Sequence, residues 1–131
     1  MVFLPYQPRE NLSFTLSAFD VGVVTMKPAM QGLMFPAKLY GLLATGRPVI
    51  AIGMVGIETE AMLDRWRVGF LCQAGDVDGV VLAIRRLAQD GELRSIFSRN
   101  ARECYETDYN REIALANFED ALAFFHATKG Q

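Results

Sequence analysis

Phe35-Pro36-Ala37-Lys38-Leu39-Tyr40-Gly41-Leu42-Leu43-Ala44-Thr45-Gly46-Arg47-Pro48-Val49-Ile50 is the stretch that decides the architecture. Its first half sets Leu39, Leu42 and Leu43 at helical spacing. It stops at Gly46, the residue type that best accepts the left-handed backbone after a helix. Its second half opens Pro48-Val49-Ile50-Ala51-Ile52, a short, unbroken apolar run of the kind buried inside a parallel sheet. A helix that ends on glycine and feeds an apolar strand is part of a βα repeat.

The same alternation extends outwards. Upstream, Val21-Gly22-Val23-Val24-Thr25 is a buried-strand candidate, joined to Lys38–Thr45 by a loop from Met26 to Ala37 with two prolines and a glycine. Before it, Val2–Leu4 forms a first short run that Pro5 ends, and a helix is expected from Pro8 to Ala18. Downstream, a turn over Gly53–Gly56 precedes a helix from Ile57 to Arg65 and a strand over Val68–Cys72. Gly75-Asp76 then opens the clearest helix, with Asp76 placed as N-cap and Val77, Val80, Val81, Ile84 and Leu87 on one apolar face. Two further helices are expected over Glu92–Tyr105 and Arg111–Thr128. The expectation is an α/β unit spanning 1–131, with a sheet of about four parallel strands and helices on both faces. In such sheets ligands bind outside the carboxyl ends of the strands, so the loops after Thr25, Ile52 and Cys72 should line any site.

Composition agrees with one folded unit. The 131 residues are 51% apolar, ample for a core and too few for two ordinary domains. A net charge of −2, with a pI near 5.4 and mean hydropathy of +0.16, argues against a nucleic-acid binder. Cys72 and Cys104 sit within apolar patterning and read as small buried hydrophobes in a reducing compartment. His126 has no Cys or His companion, so no metal site is expected. The start of the chain lacks a basic, secretory pattern, and the longest apolar stretch, Pro48–Ile57, is about half of the roughly 20 residues a membrane span needs. A cytoplasmic protein follows as the expectation, in which the sequon at Asn11 carries no meaning.

The residues from Phe35 to Ile50 resemble the loop-helix-strand signature of family 4 glycosyltransferases, in which a Pro-Ser-Lys loop enters a helix and Gly-x-Pro-Val-Ile enters the next strand. Ala18-Phe19-Asp20-Val21 resembles that family's strand entry. Gly69-Phe70-Leu71, Gly75-Asp76 and Asn100-Ala101-Arg102 are similar to its late landmarks, in the same order. The resemblance runs from about Leu4 to Leu122. It implies a Rossmann-like sheet belonging to the carboxyl-terminal, donor-binding half of a GT-B enzyme, which transfers sugar with retention from a nucleoside-diphosphate sugar to a glycan or lipid-linked acceptor. That acceptor would lie at the cytosolic face of the inner membrane. It also implies that the amino-terminal acceptor domain and the upstream diphosphate contacts are missing, so that the chain is a fragment and inactive by itself.

Physical reasoning about the loop stands beside the resemblance. A loop that feeds a helix offers open N–H groups and the positive end of the helix dipole, which favour an anion. Lys38, in the first turn where dipole logic alone prefers an acid, adds a full positive charge suited to a phosphate. Gln31 and Gly32 lie in a loop longer than an ordinary βα connection, and Gly32 would let backbone approach a sugar. The resemblance places donor contacts at Gln31, Gly32, Pro36, Lys38 and Leu39, and a helix-start glutamate at Glu60, beside Glu58. It also shows two departures: Leu33 and Gly41 stand where many relatives carry a pair of glutamates, the second of which holds the donor ribose. No catalytic residue is assigned and no metal or other cofactor is expected; the nucleotide-sugar is substrate.

Arg85, Arg86, Arg94, Arg99 and Arg102 fall on polar helix faces and read as solvated charge. Leu115, Phe118, Leu122, Phe124 and Phe125 give the last helix an apolar face that should drive the chain to a homo-oligomer. The alternative to an enzyme part is a non-catalytic Rossmann-like binding or assembly module. A receiver-type domain is disfavoured because no acidic cluster follows the first strand.

Overall fold

Three strands of four residues, β1 (Gly22–Thr25), β2 (Val49–Ile52) and β3 (Gly69–Cys72), lie parallel in the order β1-β2-β3. Their register is continuous, with Val24 opposite Ala51 and Ala51 opposite Leu71. The computed structural model describes residues 5–30, 33–55 and 58–128. The described sheet thus has three strands and not the expected four; Val2–Leu4, the remaining candidate, lies outside the described residues.

Side chains alternate across this sheet, and helices cover both faces. On one face Val24, Val49 and Ala51 pack with Leu39, Leu42 and Leu43 of α2 (Ala37–Ala44) and with Met62 and Leu63 of α3 (Glu58–Trp66). On the other, Ile50 and Cys72 pack with Ala83 and Leu87 of α4 (Val77–Gln89) and Phe97 of α5 (Gly91–Cys104). The far end of α5 crosses to the first face, where Ala101 and Cys104 are buried. A short helix, α1 (Leu12–Ser17), precedes β1 and rests on α2, while α6 (Arg111–Thr128) closes the described chain.

Local signals set the helix ends. Gly46 takes φ +63 after α2; its N–H bonds Leu43 O and the Arg47 N–H bonds Leu42 O, which satisfies carbonyls the helix leaves open. Asp76 caps α4 through Gly79 N at 2.9 Å, and Asp90 caps α5 through Leu93 N at 2.8 Å. Asn110 does the same for α6 at Ile113 N, 2.9 Å away.

The apolar face expected on α4 is corrected. Ala83 and Leu87 meet the sheet, whereas Val77 is 70% and Ile84 48% exposed. α4 packs over β2 and β3, so residues on its outer side lie beyond the cover of β1. There Val23 and Ile84 border an open apolar cavity of about 470 Å³. Periodicity identified the helix but not how it is rotated on the sheet. In α6, Leu115, Phe118, Leu122 and Phe124 are exposed, the condition self-association would need. No helix among the described residues is long and apolar enough to cross a membrane.

Both cysteines are buried, as expected. Burial, reinforced by the Asp108 carboxylate and opposed by Arg65, pushes the Cys104 thiol from 9.0 up to about 12. The folded chain therefore keeps a proton that the unfolded chain loses above pH 9. That contribution to stability is full below pH 9 and declines as pH climbs towards 12. Burial raises the phenols of Tyr40 and Tyr109 in the same sense. The thermal midpoint should fall steadily from about pH 9 to 11, and less steeply in Cys104→Ala; a level midpoint over that range would contradict the burial of the thiol.

Candidate functional site

The loop after β1 returns through Phe35 and Pro36 to the start of α2, at the carboxyl end of the sheet. Pro36 is buried in an extended conformation that precedes the helix, and the Leu39 N–H closes onto Pro36 O at 2.9 Å. That is the first amide closed within the turn, which leaves those of Ala37 and Lys38 at the open end of the helix among the described residues. Lys38 is exposed beside them. An exposed ammonium at the positive end of a helix dipole has no ion-pair partner there among the described residues, and the set suits an anion.

Leu39 is different in kind. Its side chain is fully buried in the core, so it positions the turn from beneath. Gln31 and Gly32 lie outside the described residues. Glu58 and Glu60 both fall in the first turn of α3, next along the same end of the sheet; Glu58 is exposed, while Glu60 is half-buried and already engaged. Between them Thr59 is fully buried, and its hydroxyl finds no partner among the described residues.

The structure adds an aromatic group that sequence reasoning missed. Phe35 stacks on Tyr40 with centroids 5.1 Å apart, and Tyr40 meets Tyr109 at 5.3 Å. Burial and the neighbouring Glu58 carboxylate both raise the Tyr40 phenol above its ordinary value of 10.0. The group ties the entry of α2 to the π-helical turn Tyr105–Tyr109 that follows α5. That turn is anchored by Asp108, which accepts from Trp66 Nε1 at 2.8 Å and pairs with Arg65 at 3.3 Å. Phe35 and Tyr40 are near in sequence, but nothing local announces Tyr109 as their partner.

The two departures also acquire a place. Leu33 is exposed. At Gly41 an added Cβ would stand 2.8 Å from Leu16 Cδ1, so α1 occupies the room on that side of α2. Asn100, one of the late landmarks, donates to Arg67 O at 3.1 Å, fixing the turn in which Arg67 adopts φ +51. Among the described residues no group of three His, Cys, Asp or Glu side chains converges as a metal site.

A Rossmann-like α/β sheet with an anion-suited helix start at its carboxyl end is the class that fold and site define. No protein-family model matches the chain, and no solved structure matches it. The chain is similar to a probable glycosyltransferase, WbjE of Pseudomonas aeruginosa, with 28% identity over 102 residues. The alignment covers 73% of this chain and 26% of that protein, so the chain spans about a quarter of the relative's length.

Proposed function

We propose that the chain is the nucleotide-sugar-binding portion of a retaining glycosyltransferase of GT-B architecture. The observation that carries this reading is the exposed Lys38 beside two open amides at the start of α2. The similarity to a probable glycosyltransferase supports it. The donor diphosphate sits at that helix start, its charge met by the Lys38 ammonium and the helix dipole. As the bond from sugar to phosphate breaks, negative charge grows on the departing diphosphate, and fixed positive groups there stabilise the transition state more than the ground state. Glu60, half-buried in the first turn of the next helix, would accept hydrogen bonds from donor hydroxyls in exchange for its present interaction.

The ribose contact differs from the common pattern, because Gly41 is filled in by Leu16 and offers no carboxylate. Acceptor recognition belongs to residues outside this portion, so the chain binds donor without transferring sugar. Titration with UDP, GDP and TDP, followed by calorimetry, should find one that binds, and Lys38→Ala should weaken it about tenfold, the loss of one charge-assisted contact. Equal affinity in the variant would remove Lys38 from the site.

A further inference from the structure

The face of α5 carrying Arg94, Arg99 and Arg102 reads in sequence as a solvated stripe. In the structure it walls a cavity of about 840 Å³ at the amino end of the sheet, bordered across the way by Ser13 and Ser17 of α1 and by Arg47 in the turn out of α2. Three of its polar groups serve the fold. Arg102 donates to Ala44 O and pairs with Glu106 at 2.6 Å, and Ser98 donates to Gly46 O at 2.5 Å, so both satisfy the carbonyl end of α2. Arg94 donates to Leu87 O at 2.5 Å.

Arg47 and Arg99 are surplus to that task. Neither makes an ion pair or side-chain hydrogen bond among the described residues, and the Arg47 Nε is buried without an acceptor. A buried guanidinium N–H left unpaired is costly and calls for an acceptor. The carboxylates Asp20 and Glu103 border the same cavity but are exposed and outside ion-pair reach of either arginine. Glu106 is already engaged by Arg102.

We propose that this cavity binds a phosphate group, held by the guanidiniums of Arg47 and Arg99 with the serine hydroxyls around them. A phosphate supplies the several acceptor oxygens that two planar donor forks and neighbouring hydroxyls can share, which a single carboxylate does not. The cavity lies at the opposite end of the strands from Lys38, so its occupancy is independent of the donor reading.

Inorganic pyrophosphate and glycerol 3-phosphate, titrated into the Lys38→Ala chain and followed by amide NMR, test it with the anion site at α2 weakened and distinguishable, residue by residue, from this cavity. Shifts should centre on Arg47, Ser95 and Arg99, and Arg99→Gln should weaken binding about tenfold. Arg99 is exposed, so that variant keeps its fold if Arg47→Gln does not. Flotation with phosphatidylcholine vesicles, with and without phosphatidic acid, separates the sources. Capture that depends on both phosphatidic acid and Arg99 assigns a lipid headgroup, whereas soluble esters binding without capture assign a free phosphate compound. No Arg99-dependent binding of any probe, or shifts confined to another face, would overturn the site.

Discussion

Alanine in place of Gly69 should largely unfold the chain under conditions where the native sequence is stable. Gly69 begins β3 directly opposite Val49, and an added Cβ would stand 1.7 Å from Val49 O and 2.6 Å from its carbonyl carbon. Those are backbone atoms of the central strand, which cannot swing aside as a side-chain tip can. Relief requires β3 to move away from β2, breaking the bond from Val49 N to Val68 O at 3.0 Å and exposing Val68 and Val49, both fully buried. A cost on the order of 4 kcal/mol or more is expected, a large share of the roughly 5–15 kcal/mol that holds a domain together. Thermal unfolding by circular dichroism should show a midpoint about 15 °C lower or no cooperative transition at all. Gly91→Ala is the control: its Cβ would approach only the Arg94 guanidinium, at 3.7 Å, and its midpoint should hold within a few degrees or rise. If Gly69→Ala melts like the native chain, β3 is not paired to β2 in this register.

Leu39→Ala should separate support from contact at the anion site. The side chain is fully buried, packed in the core beneath Lys38. Its truncation removes buried methyl groups and leaves a cavity, at a cost of about 2–5 kcal/mol. The midpoint should therefore drop by on the order of 10 °C. At low temperature, where the variant remains folded, its nucleotide affinity should stay within about twofold of native, because only the Leu39 backbone belongs to the turn. Lost affinity with unchanged stability would mean that Leu39 faces the ligand.

What sequence made legible was local. The stop at Gly46, the cap Asp76, and the apolar runs of β1, β2 and β3 each declare themselves within a few residues, and all stand in the structure. Lys38 was legible for the same reason: an ammonium in a helix's first turn is a misfit visible without a fold. The misses were relations between distant elements. The rotation of α4 depends on where the sheet ends beside Val23, which no helical period encodes. Phe35, Tyr40 and Tyr109 meet only because the π-helical turn brings Tyr109 back to α2. Likewise, Arg94, Arg99 and Arg102 looked solvated until Arg47 and α1 closed around the same space.

The most direct test of the account is amide mapping of the native chain with the nucleoside diphosphate that binds. Binding at the start of α2 should shift the amides of Ala37 and Lys38 most, with smaller shifts at Glu58 and Glu60, and Lys38→Ala should move the midpoint of the response at Ala37 to about tenfold higher concentration. Saturable shifts that leave Ala37 and Lys38 unmoved, or none with any of the three nucleotides at millimolar concentration, would contradict donor binding at this helix.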